Sequence, residues 1–165
     1  MKMSQSQARS DWADEVVDKY ADMVYRIAFT QMKNKADADD IFQEVFLKLC
    51  KSEAAFETDE HVKAWLITVT INSCRKFYSS VWNKRIEPLT EDFAYEEKYP
   101  DFEIVPAVQS LPQKYREVVH LFYFEDMKVA QIAEILKSTA GTVKSQLSRA
   151  RSLLRGKLEG GDCNV

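Results

Sequence analysis

The residues best suited to chemistry are Thr142, Lys144, Ser145, Gln146, Ser148 and Arg149, in the basic C-terminal quarter at residues 127–158. Their chemistry is recognition rather than bond making. Ammonium and guanidinium groups bind phosphate oxygens, and Gln or Ser side chains suit base edges. Ser152 and Arg155 continue the same outward set. Residues 137–157 hold six Lys or Arg and no Asp or Glu. Within a chain of net charge −3, that segregation points to a polyanion partner. The competing reading is an ordinary helical hairpin with a solvated basic face.

Two elements must position these side chains. Val129, Ile132, Ala133 and Leu136 recur at the three- and four-residue spacing of one helix face, and Val143, Leu147, Ala150 and Leu154 repeat it. Between them lie Ser138, Thr139, Ala140 and Gly141. Thr139 is a suitable N-cap, because its hydroxyl accepts a bond from an N–H of the next turn. Two short helices joined this way predict a helix-turn-helix.

The remaining charge is also segregated. Residues 11–60 carry thirteen acids against six bases. Residues 61–86 have five bases and no acid, and residues 88–103 have six acids and one base. Two positive blocks separated by acidic ones predict two nucleic-acid contacts on one chain, with other surfaces meeting a positive partner.

Gly and Pro are scarce, at four each, and strand-like alternation is hard to find, so the fold class is all-α. The chain reads as two small helical domains joined by a flexible acidic linker. Their bounds are 1–82 and 104–165, with the linker at 83–103, where Pro88 and Pro100 break poor periodicity. Helices are predicted over 12–32, 36–51 and 60–80. The first carries Val16, Tyr20, Met23, Val24, Ile27 and Ala28 as an apolar stripe. The second turns Ile41, Val45, Phe46 and Leu49 inward and leaves Asp40, Gln43, Glu44 and Leu47 on another face, for which plain solvation is the bland reading. The third lines the core with Val62, Trp65, Leu66, Val69 and Phe77, leaving Lys63, Thr68, Asn72, Arg75 and Lys76 outside. Phe56, Trp65, Phe77, Tyr78 and Trp82 place rings among these bases. Such interleaving suits unstacked bases, although Trp65 and Phe77 fit the core better. In the C-terminal part, 104–110 form a short helix and Pro112 opens the next at its first position. Tyr115, Val118, Val119, Leu121 and Phe122 pack that helix onto the helix-turn-helix.

These residues lead to a family. The chain resembles the extracytoplasmic-function group of bacterial RNA polymerase sigma factors along nearly its whole length. "MVYRIAFTQMKNKADADDIFQEVFLKL" is similar to the start of that group's region two. "AWLITVTINSCRKF" is similar to its helix for the melted downstream promoter element, and "LPQKYREVVHLFYFEDMKVAQIAEIL" with "GTVKSQLSRARSLL" to its region four. The resemblance implies that Asp39, Asp40, Gln43, Glu44 and Leu47 dock on the clamp of core RNA polymerase. It implies that Lys63, Asn72, Arg75 and Lys76 hold the non-template strand, with the Phe56–Val62 loop capturing an extruded base. That capture must offset a few kcal/mol of lost stacking. The helix of Thr142, Lys144, Ser145, Gln146, Ser148 and Arg149 would read the upstream element in the major groove. An anti-sigma protein is a further implied partner.

Two departures from the family matter. The turn carries Lys137-Ser138 where Gly and an apolar residue are common, and Lys tolerates positive φ less well than Gly. Gln146 stands where Arg or His is frequent, which favours a base-edge contact over a phosphate contact.

Other classes fit less well. His61 and His120 are isolated, and no phosphate-binding Gly loop or metal spacing occurs, so no catalysis, cofactor or metal is expected. His120 is read as a core residue with one satisfied nitrogen. A stand-alone helix-turn-helix regulator is the stronger rival, but it has no need of the acidic helix or the aromatic-basic helix after it. Cys50, Cys74 and Cys163 form neither a zinc pattern nor a disulfide framework, and the two helical ones are expected to pack. No apolar run is long enough to span a membrane and no signal-peptide core is seen, so a reducing cytoplasm is the expected location.

Overall fold

A computed structural model describes residues 5–84 and 104–160, all of their regular elements being helical. The chain divides into two units, Met1–Leu89 and Thr90–Val165. Most of the linker expected at 83–103, the Trp82 ring and Cys163 lie outside the described residues and side chains.

Unit 1 is three mutually packed helices, α1 (Gln5–Met32), α2 (Lys35–Lys51) and α3 (Asp59–Lys84). The break between α1 and α2 is local chemistry. Lys33 takes a φ of 65°, and the Asn34 side chain then accepts from the Asp37 N–H at 2.7 Å to cap α2. The inward residues expected of α1 and α2 are all buried, with Ile27 and Leu49 fully so. Each such aliphatic side chain contributes about 1.5–3 kcal/mol of transfer free energy.

The core face of α3 differs from expectation. Val62 and Leu66 are buried as foreseen, but Ile67, Thr70, Ile71, Ser73 and Cys74 complete that face, while Trp65, Val69 and Phe77 are half-buried. Two small polar residues can be hidden because their hydroxyls are satisfied. Thr70 donates to the Leu66 carbonyl at 2.6 Å, and Ser73 accepts from Lys48 Nζ at 3.3 Å. Tyr78 ties α3 to the end of α1 by donating to the Gln31 carbonyl at 2.5 Å. Cys74 packs as expected, whereas Cys50 is exposed.

Unit 2 is built from α4 (Ile104–Gln109), α5 (Gln113–Val119), a π-helical turn at His120–Phe124, α6 (Val129–Ile135) and α7 (Ala140–Gly160). Pro112 stands one position before α5 rather than at its first residue, and its carbonyl receives the Tyr115 and Arg116 N–H groups. The buried Arg116 donates to the Leu111 carbonyl at 2.8 Å, capping the α4–α5 corner. Tyr115, Val118, Val119 and Leu121 are buried as expected, and Phe122 only half so. Through the π turn, the buried His120 reaches Glu125, with Nε2 to Oε2 at 2.7 Å. His120 Nδ1 has no partner, so one ring nitrogen is satisfied as the sequence suggests.

The turn between α6 and α7 has a Schellman arrangement. Ser138 N–H donates to the Ala133 carbonyl at 2.8 Å and Lys137 N–H to Glu134 at 3.3 Å, with Lys137 at φ 53°. Lys137 therefore occupies the left-handed position that Gly favours in such a turn, at a cost to its own backbone. Lys137→Gly is expected to raise the unfolding free energy of unit 2 by up to about 1 kcal/mol, seen as a higher Tm with unchanged DNA affinity.

Candidate nucleic-acid interface

Thr139 caps α7 as its sequence position predicts. Its hydroxyl oxygen accepts from the Thr142 N–H at 3.1 Å and donates to Thr142 Oγ1 at 2.9 Å. That cap sets where α7 begins, and the buried Val143, Leu147, Ala150 and Leu154 set its rotation. Thr142, Lys144, Ser145, Ser148 and Arg149 are consequently exposed and Gln146 half-buried.

Four of these six share one cleft. Thr142, Ser145, Gln146 and Arg149 line an open cleft of about 500 Å³ together with Thr139, Gly141, Lys114 and Tyr115. Lys144 and Ser148 are exposed outside it. Lys114 is the residue that sequence reasoning missed. It stands near the start of α5, with Nζ 5.1 Å from the Tyr115 ring centroid. Nothing in the local sequence marks it, because packing α5 against α7 creates the cleft. Its two cations and small hydroxyl and amide groups, with no carboxylate in the lining, can hold a phosphate beside a base edge.

In unit 1 three of the five residues expected at the downstream element share one side of α3, and Lys63 and Phe56 stand apart from them. Asn72, Arg75 and Lys76 are exposed at three- and four-residue spacing on one side of α3. Lys63 is half-buried nine residues before Asn72, about half a turn out of phase on a regular helix. Phe56 belongs to an aromatic cluster, its ring stacked on Trp12 at 5.6 Å and 16° and edge-on to Trp65 at 5.7 Å. The loop carrying it spans residues 52–58 rather than 56–62, because α3 already begins at Asp59 behind the Thr58 cap, and it is acidic on its exposed side through Glu53 and Glu57.

On α2, Asp40, Gln43, Glu44 and Leu47 form a stripe at helical spacing. Leu47 is 57% exposed, a large apolar side chain set among carboxylates. Glu44 pairs with Lys48 at 3.1 Å, and the half-buried Asp39 with Lys35 at 3.0 Å. Asp40 and Gln43 lie open between these pairs. Such a face offers negative charge around one apolar contact, the complement of a positive groove with an apolar floor.

A helix-turn-helix unit with a cationic cleft, preceded by a three-helix unit with an acidic stripe and a basic helix, defines a class. Residues 16–84 match the model of Sigma-70 region 2, and residues 102–154 match that of Sigma-70 region 4. The chain belongs to the extracytoplasmic-function sigma factors, and it is a transcription initiation factor of RNA polymerase. It is 33% identical over 138 residues to the RNA polymerase sigma factor SigV of Bacillus subtilis strain 168, covering 81% of this chain and 83% of that protein. It is 29% identical over 163 residues to SigW of the same strain, with 87% of each covered. The sigma factor RpoE of Bartonella quintana, solved in complex with the anti-sigma factor NepR, shares the fold. That match has a TM-score of 0.72 at 24% identity, over 90% of this chain and 97% of that one. With both halves matched, the stand-alone regulator is not favoured. Sigma factors are non-catalytic, and no helix among the described residues is long and apolar enough to cross a membrane.

Proposed function

We propose that residues 1–82 form the domain that binds core polymerase and handles the downstream element, and that residues 104–165 read the upstream element, with 83–103 linking them. Core binding uses Asp39, Asp40, Gln43, Glu44 and Leu47. Asn72, Arg75 and Lys76 hold the non-template strand, Lys63 supports it from the loop end, and the Phe56 loop receives an extruded base. In unit 2, Thr142, Ser145, Gln146 and Arg149 face the major groove, with Lys144 and Ser148 flanking them. The chain works in the cytoplasm without catalysing a reaction, and an anti-sigma protein holds it inactive. The observation that carries the DNA reading is the carboxylate-free cleft joining four predicted recognition-helix residues to Lys114, in a chain of net charge −3.

Run-off transcription with purified core polymerase and the DNA upstream of the chain's own gene tests this function. A transcript from a defined start only when the protein is added supports it. Failure to bind core, with dimeric binding to duplex DNA by the protein alone, would restore the regulator reading. In binding titrations on the promoter so defined, Lys114→Ala is expected to weaken affinity for upstream-element duplex about fivefold and to lower the salt slope by about one, roughly uniformly across sequences.

A further inference from the structure

The loop at residues 52–58 has no regular hydrogen-bond ladder, yet it is fastened at both ends by α1. Arg9, in the second turn of α1, donates from its two terminal nitrogens to the Ser52 carbonyl at 2.6 Å and the Ala54 carbonyl at 3.3 Å. Its guanidinium lies 4.5 Å from the centroid of the Trp12 ring, which in turn stacks on Phe56. Within the loop, the Ser52 hydroxyl accepts from the Ala54 N–H at 3.1 Å. At the far end, Lys19 pairs with Asp59 at 2.7 Å, and the Tyr20 hydroxyl donates to the Asp59 carbonyl at 3.2 Å. Thr58 then caps α3 by accepting from the His61 N–H at 3.2 Å.

We infer that Arg9 is a positioning residue for promoter melting: from α1 it holds loop 52–58 in the shape that receives an unstacked base of the downstream element. The inference rests on the reading of this loop given under the proposed function. Three physical points carry it. A guanidinium forks two donors in one plane, so it fixes the relative placement of two carbonyls two residues apart, which an ammonium does less well. The same side chain lies over Trp12, the ring on which Phe56 stacks, so the backbone shape and the ring platform are set together. Finally, Glu53 and Glu57 repel phosphate but accept hydrogen bonds from base amino groups, so this loop admits a base edge rather than backbone. A loop that must meet an extruded base gains from being built beforehand, because ordering it during melting would add to the cost of unstacking.

The test uses holoenzyme assembled from core polymerase and the full chain, with the promoter defined by run-off. The probe is a single-stranded non-template oligonucleotide spanning the downstream element, with 2-aminopurine placed at successive positions. Wild-type holoenzyme is expected to bind it in preference to a scrambled oligonucleotide and to raise the fluorescence at one position. Arg9→Ala should weaken that binding about tenfold and suppress the fluorescence rise, with core affinity and upstream-duplex affinity unchanged. Arg9→Lys should recover part of the loss. Ser52→Ala, which loosens the same turn without altering α1, should reproduce a smaller selective loss. Wild-type oligonucleotide binding by both Arg9→Ala and Ser52→Ala overturns the inference. So does an Arg9→Ala defect that equally reduces core binding while Ser52→Ala is silent, since Arg9 is then a stability residue. If wild-type holoenzyme itself shows no preference for the oligonucleotide, the loop reading fails first and the role of Arg9 falls with it.

Discussion

The double variant Asp40→Lys/Glu44→Lys is expected to bind core polymerase at least about a hundredfold more weakly than the wild type, and to give no promoter-specific transcript. Placing positive charge against a positive groove costs several kcal/mol, and each 1.4 kcal/mol is a factor of ten. The fold should survive. Asp40 is exposed and Glu44 half-buried on the outer stripe of α2, where the substitution breaks the surface ion pair between Glu44 and Lys48. Such a pair contributes about 0.3–0.5 kcal/mol, and the like-charge replacement costs a similar amount. Titration of labelled core by fluorescence anisotropy measures the effect, with circular dichroism and upstream-duplex binding as controls. Leu47, by contrast, offers apolar burial, so Leu47→Ala should weaken docking without the change in salt dependence that the charge reversal brings. Core binding by the double variant within threefold of wild type would remove α2 from the docking surface.

His120→Ala should lower the stability of unit 2 by about 3 kcal/mol, because it takes away the Nε2 partner of a carboxylate that is itself buried. For a unit of this size, that corresponds to a fall in Tm of roughly 10–20 °C. The imidazole also packs against Phe124, with centroids 5.2 Å apart, so the variant opens a cavity as well. Differential scanning calorimetry on the full chain would report it. An unchanged profile would mean that the pair is not structural. Glu125→Gln keeps the volume and a hydrogen-bonding group and should be milder.

Where one face of a helix is narrow, the sequence was enough. The inward residues of α2 and α7 are buried as their periodicity predicts, and Thr139 caps α7 where the apolar pattern begins. In α3 the pattern failed because polar residues share the buried face, so apolar spacing alone misplaces the covered arc. Thr70 and Ser73 look like surface residues until their hydroxyl partners are known. Lys114 and Arg9 were illegible for a different reason. Each acts on residues far along the chain, Arg9 on a loop more than forty positions away, and no local spacing encodes such a meeting. The start of α1 was read seven residues late, at 12 rather than Gln5, which left Arg9 outside any predicted element.

The π turn at His120–Phe124 makes unit 2 sensitive to the length of its chain rather than to its composition. On a regular α-helix, residues five apart point about 140° away from each other, so His120 and Glu125 could not meet. The wider turn brings them together and places Met127 N–H on the Leu121 carbonyl at 3.0 Å. Deleting one residue from this segment would restore an ordinary helix and rotate everything after it by about 100°. Glu125 would leave its histidine, and α6 and α7 would be carried out of register with α5. Substitution of the half-exposed Tyr123 removes its contact with Arg151 on α7, whereas single-residue insertions or deletions between Val119 and Glu125 shift every later residue. Relatives that keep this cleft should keep this segment's length even where its residues change.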